Sequence, residues 1–257
     1  MVDWDLLLIL LPALAAGILV ISTHVLFGKQ VLTRGIIFID LAVAQIAALG
    51  AVLAKTQHDI ENLPFSHIWL PAVFALSGAA LIAYLAKRFS DELEAIIGCL
   101  YVLSAVSAML ILSGDPHGAE LLKQLMSGQI LWVNWQQLLL PTIIYVLILS
   151  LVFLKPAIMQ GSSFYLLFAI VITLSVELVG VYLVFSTLIL PALAVNRIRH
   201  NTMILAYGIG LISYISGLWL SASLDLPSGA VIVVSLAAVS VLFRFCSSLT
   251  KKASVDN

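Results

Sequence analysis

The chain alternates long apolar runs with short polar breaks. Runs of about twenty residues are long enough to cross roughly 30 Å of hydrocarbon as helices. Seven such runs stand out, at Leu6–Phe27, Ile36–Ala54, Ile68–Ala86, Ala95–Leu112, Leu138–Leu154, Met203–Ala222 and Gly229–Phe245. An eighth, Phe164–Ile198, is too long for one ordinary crossing and barely long enough for two. Apolar and polar positions do not alternate strictly, so the pattern predicts helices and not a β-barrel.

The basic residues orient these runs. Lys29 and Arg34, Lys87 and Arg88, Lys155, Arg197 and Arg199, and finally Arg244, Lys251 and Lys252 fall in alternate connections or at the C-terminus. They predict cytoplasmic segments, with the acidic N-terminus outside and the C-terminus in the cytoplasm. The segments 55–67, 113–125 and 223–228 then lie outside, Lys123 being a mild objection. Under this scheme 164–198 starts and ends on the same side and must turn back. Gly180 in "VELVGV" is the best turning point. Irregular backbone at that depth requires protein or a water-filled cavity around it, so a broken or re-entrant helix pair is expected, with Glu177 near its apex. The expected fold is all-α, a polytopic integral membrane protein of eight or nine membrane segments forming one domain over 1–257.

Composition agrees. Of 257 residues 62% are hydrophobic and 10% charged, against roughly 25% charged in soluble domains, and the mean hydropathy is +1.15. A net charge of −1 with no basic tract gives nucleic acid no footprint. Cys99 and Cys246 lie in separate apolar runs, suggesting neither a disulfide framework nor a cysteine metal cage. The opening "MVDWDLLLILLP" lacks the basic residues of a cleaved signal peptide, so Leu6 onward is expected to be the first span. No phosphate-binding loop, GxGxxG, HExxH or GxSxG motif occurs. The chain is not expected to be an enzyme, and any ATP-driven work would fall to another subunit.

Several polar residues stand out against this background. Asp40 begins an apolar run, where an acid costs roughly 2.5–3.5 kcal/mol at mid-bilayer. A continuous helix puts Asp40 and Ala44 on one face with Gln45 slightly round from it. Asp40 could equally reach back to pair with Arg34, or cap a helix beginning near residue 41. Glu177 has no base nearer than Lys155 and Arg197, and either faces a polar path or stays protonated against a neighbouring helix. Two outer segments share a composition, His58, Asp59, Glu61 and His67 in one and Asp115, His117 and Glu120 in the other. Imidazole with carboxylate suits borderline divalent cations, although no pair has a stringent zinc spacing. Gln45 and His24 read more readily as helix–helix or interfacial hydrogen-bonders than as ligands.

Five blocks together resemble the membrane permeases of zinc/manganese/iron-type ABC importers: "VLTRGIIFIDLAVAQIAALG", "DELEAIIGCLYVLSAVSAMLIL", "HGAELLKQLMSGQILWVNWQQL", "VELVGVYLVFSTLILPALAVNRI" and "LDLPSGAVIVV". The resemblance implies a homodimer in a bacterial inner membrane, cytoplasmic ATP-binding subunits, and a periplasmic or lipoprotein metal-binding receptor. It implies no tightly bound cofactor, and as cargo a divalent ion, zinc ahead of manganese or iron. Asp40 is expected to face the metal path, with Glu177 and Gln45 along it and His58, Asp59, Glu61, His117 and Glu120 in an outer vestibule. Two departures stand out. Where the family often has histidine four residues after the acid, this chain has Ala44. The connection "LKPAIMQGSSF" is short, leaving Pro156, Ala157, Ile158, Met159 and Gln160 as a minimal contact for the ATPase. A proton-coupled secondary metal transporter and a permease for a metal chelate are the alternatives, with an intramembrane enzyme far behind.

Overall fold

The computed structural model describes residues 4–56, 66–128, 130–198 and 201–253. Among these the chain is helical, with ten α-helices: α1 Trp4–Arg34, α2 Ile39–Thr56, α3 Ser66–Arg88, α4 Leu93–Leu112, α5 Gly118–Ser127, α6 Trp135–Leu154, α7 Ser163–Val179, α8 Val181–Val195, α9 Thr202–Leu224 and α10 Ser228–Ala253. Short 3₁₀ turns at Ser90–Glu92, Ile130–Trp132 and Pro156–Met159 join some of them. Seven helical stretches are long and apolar enough to cross a membrane, and Ser163–Val179 and Val181–Val195 are shorter apolar helices. The chain is a polytopic all-α membrane protein.

Two expected boundaries move. The first helix does not stop at Phe27 but runs on to Arg34. The second begins at Ile39 rather than Ile36, because Gly35 adopts φ +69° and the chain turns sharply there. Arg34 and Asp40 therefore belong to different helices. A left-handed φ of this kind is available to glycine at little cost.

At the centre lies α2, rich in alanine, whose Ala42, Val43, Ala44, Ala47, Ala48 and Gly50 are buried. Small side chains let neighbouring helices approach closely in a medium where lipid competes for every larger apolar contact. Both α3 and α4 pack along α2, and α9 pairs with α10. On the outside, Leu103, Met109 and Leu110 of α4 and Leu139, Leu147 and Leu154 of α6 are exposed, as suits surfaces meant for acyl chains. Trp132 and Trp135 are exposed together around the start of α6, in the manner of an interfacial aromatic belt. Asn134 and Gln137 start α6 with a reciprocal capping box: the Gln137 N–H donates to Asn134 Oδ1 at 2.9 Å and the Asn134 N–H to Gln137 Oε1 at 3.0 Å.

The long apolar run over 164–198 breaks at Gly180, with φ 82° and ψ 162°. The two halves then part company. The first, α7, leans on α3 and α2, while α8 leans on α1 and α10. Backbone closeness holds α8 in place: a Cβ on Gly28 of α1 would run into the Leu188 carbonyl.

Candidate functional site

Polar side chains inside this bundle are mostly satisfied, by a carbonyl one turn back in their own helix, as at Thr23, Ser186 and Ser213, or across helix pairs. Tyr145 Oη of α6 donates to the Val171 carbonyl of α7 at 3.0 Å and also meets Ser175 Oγ. The Thr187 and Tyr214 hydroxyls join α8 to α9 at 2.9 Å, and Tyr207 Oη donates to the Ser22 carbonyl at 3.0 Å. Such pairing is what a low-dielectric interior demands.

One region breaks that rule. Among the described residues six buried side-chain N or O atoms have no protein partner, and four of them belong to Asp40 (both carboxylate oxygens), Gln45 (Oε1) and Glu94 (Oε2). Asp40 is 1% exposed and Gln45 2%. Leaving such acceptors unpaired is costly in a packed interior, which makes Asp40, Gln45 and Glu94 the candidate site residues. The other two atoms are His24 Nε2 and Ser240 Oγ, single atoms on α1 and α10.

Local structure explains the grouping. Asp40 lies in the first turn of α2, where unpaired backbone N–H groups and the helix dipole favour an anion. Glu94, in the first turn of α4, reaches across so that its Oε1 accepts from the Phe38 N–H at 3.1 Å, just ahead of α2. The two carboxylates thus lie within electrostatic reach of each other at the start of α2. One turn on, Gln45 Nε2 donates to the Met126 thioether of α5 at 3.5 Å, leaving Oε1 unpaired.

Arg34 takes no part in this cluster. Its Nη2 donates to the Met159 carbonyl at 2.7 Å, and its guanidinium lies 4.3 Å from the centroid of the Phe164 ring. Of the structural alternatives for Asp40, the structure has neither the pairing with Arg34 nor a cap on a helix beginning near residue 41: α2 begins at Ile39, with Asp40 its second residue.

The remaining expected residues lie elsewhere. Glu177 is exposed on α7 three residues before the Gly180 break, some 20 Å along α7 from Phe164 at 1.5 Å per residue. It therefore sits at the far end of α7 from the ring that Arg34 covers. His117 and Glu120 are exposed, and the His117 N–H donates to Asp115 Oδ1 at 2.8 Å, a turn contact at the entry to α5. His58, Asp59 and Glu61 lie outside the described residues, as does the side chain of His67. Among the described residues no three His, Cys, Asp or Glu side chains gather as a ready-made metal cage. In the 154–164 connection Pro156, Ala157 and Gln160 are exposed, Ile158 is partly covered and Met159 is buried.

Glu94 is the candidate that sequence reasoning misses, since its block stands out only for the family resemblance. The available signal is an acid directly preceding an apolar run, the same pattern that singles out Asp40.

The helical architecture defines a polytopic all-α membrane protein with seven long apolar helices among the described residues. The ABC 3 transport family matches residues 7–164 and 154–247, so nearly the whole chain is accounted for, and it belongs to that family. An uncharacterized membrane protein of Synechocystis sp., slr2045, is 29% identical over 258 aligned positions, covering 90% of this chain and 89% of that protein. Two solved structures share the fold. PsaBC from Streptococcus pneumoniae, in complex with Fab, superposes with a TM-score of 0.70 at 18% identity, covering 91% of this chain and 90% of that one. A putative metal-chelate type ABC transporter in an inward-facing conformation gives 0.64 at 18% identity, covering 91% and 85%.

Proposed function

We propose that this chain is the membrane-spanning subunit of an ABC importer for a divalent transition-metal ion, working as a homodimer with cytoplasmic ATP-binding subunits and an external metal-binding receptor. The observation that carries the reading is the Asp40 carboxyl group, 1% exposed and without a side-chain partner at either oxygen inside an apolar bundle. An ion stripped of water needs fixed negative charge, yet must leave again, so a few transient ligands suit the task better than a closed cage. Asp40 and Gln45 are the inner ligands in this scheme, and Glu94 contributes the second carboxylate. Glu177 serves as a further waypoint, and His58, Asp59, Glu61, His117 and Glu120 form the outer vestibule. The oxygen-rich inner donors favour manganese over zinc, while the imidazoles of the vestibule suit zinc or iron. The turn over Pro156–Gln160 is the contact for the ATPase. The N-terminus lies outside and the basic end of the bundle in the cytoplasm of a bacterial inner-membrane protein.

A chelate as cargo is the second reading, supported by the fold shared with a metal-chelate type transporter. Uptake separates these. Cells lacking other importers are supplied with zinc, manganese, iron or a chelated metal, with and without the ATPase subunit. Uptake of one bare ion that vanishes without the ATPase is expected. Uptake that survives loss of the ATPase but collapses with the proton gradient would replace the proposal with a secondary transporter.

A further inference from the structure

We propose that Arg34 is a positioning residue that transmits movement of the Pro156–Met159 turn to the Asp40 end of α2. The inference rests on the reading of that turn as the ATPase contact.

Arg34 ends α1 and grips the turn through two kinds of contact. Its Nη2 donates to the Met159 carbonyl at 2.7 Å, with the Gly161 carbonyl a further acceptor at 3.5 Å. Its guanidinium carbon lies 4.3 Å from the Phe164 ring centroid and 5.4 Å from that of Tyr165. A planar guanidinium can donate sideways and stack on an aromatic face at once, which a lysine ammonium does only in part.

Both ends of this grip are stiff. Met159 and Phe164 are buried, and Phe164 packs on Phe27 and Phe168 at centroid distances of 5.8 and 5.4 Å. From Arg34 to α2 the chain has little slack. Gly35 N–H donates to Leu32 O, Ile36 N–H to Val31 O and Ile39 N–H to Ile36 O, each at 3.2–3.3 Å. Ile36 and Ile39 are buried, and Phe38 N–H is held by Glu94. The segment before Asp40 is therefore tied to the turn on one side and to α4 on the other. Arg34 thus gives a shift of Pro156–Met159 a direct route to the Asp40 end of α2, beside the route through α7.

A staple that only holds α1 in place would affect stability and every activity together. A transmission residue alters the ratio between them. The test is the complete complex with its ATPase subunit in liposomes, scored as metal carried per ATP hydrolysed, with zinc and manganese each offered alone. Arg34→Gln is expected to lower that ratio about five-fold or more, the size of an ordinary coupling free energy, while assembled complex still hydrolyses ATP. Arg34→Lys, which keeps a donor for the Met159 carbonyl, should recover part of the ratio, and Lys29→Gln on the same helix should leave it unchanged. An unaltered ratio in Arg34→Gln, or an equal fall in Lys29→Gln, overturns the inference. If Arg34→Gln does not assemble, Phe164→Leu removes the stacking face and keeps the carbonyl contact; a lowered ratio supports the link and an unchanged one overturns it. Wild-type complex that hydrolyses ATP but carries neither metal overturns the bare-ion reading, and this inference, which is scored on those ions, with it.

Discussion

The backbone of Gly128 lies directly against the carbonyl of Val179. Gly128 follows α5 with φ +64°, and a Cβ built there would collide with Val179 C and O and with Gly180 N. The end of α5 and the break between α7 and α8 thus share one contact between backbones. Position 128 cannot take a side chain larger than hydrogen without separating them.

Gly128→Ala should therefore destabilise the protein by about 2–3 kcal/mol, combining a left-handed backbone on a non-glycine residue with overpacking. Thermal unfolding in detergent reads this directly. Gly208→Ala on α9, where an added Cβ meets nothing within 4 Å, is the control and should melt at or above the wild type. Equal melting of both variants would mean that α5 is not seated against the break.

Asp40→Asn separates a functional acid from a structural one. The amide keeps the shape of the side chain and removes a buried acid whose two oxygens have no side-chain partner. Stability should hold or rise, by about 1 kcal/mol or more if the charge is fully present in the resting protein. Metal uptake should fall below about a tenth of wild type, since a loss of 1.4 kcal/mol in binding already gives tenfold. Uptake at wild-type level would remove Asp40 from the path.

Glu94 does two jobs that substitution can divide. Through Oε1 it accepts from Phe38 N–H at the entry to α2, and its Oε2 has no protein partner. Glu94→Ala loses the backbone contact and should cost about 1 kcal/mol, the usual scale for an uncapped helix start. Glu94→Gln retains an acceptor for Phe38 and should melt close to wild type, yet carry less metal. If the two variants melt alike, the hydrogen bond to Phe38 contributes nothing to stability.

How far the fold is legible in the sequence follows from what each signal measures. Apolar run length reports residence in a membrane, so all seven long helices and the weakness at Gly180 can be read from the order of residues alone. Run length carries no record of which helices touch. The contact of Arg34 with Met159 spans 125 residues, and a resident of the interface has no need of a partner nearby in sequence. The start of α2 is misplaced by run length because Ile36, Ile37 and Phe38 are as apolar as the helix they precede, and only the conformation of Gly35 ends α1 there. Asp40 and Gln45 are legible as expensive residues in an apolar run. Glu94 is not, because acids beside a basic connection read as ordinary solvated charge until the fold carries one of them to the end of another helix.

The Thr187–Tyr214 hydrogen bond gives the last test, of scaffold rather than site. Both residues are fully buried, and their hydroxyls meet at 2.9 Å between α8 and α9. Thr187 Oγ1 also donates to the Leu183 carbonyl of its own helix at 2.7 Å, which leaves the Tyr214 hydroxyl to donate to Thr187. Tyr214→Phe keeps the ring against Gly17, where it leaves no room for a methyl group, and removes only the hydroxyl. The expected cost is about 0.6 kcal/mol, rising toward 1.5 if no other group competes for the donor. A double-mutant cycle with Thr187→Val isolates the pair. A coupling near zero would show that the ring alone joins α9 to α1 and α8, and that the hydroxyl bond follows from that packing instead of causing it.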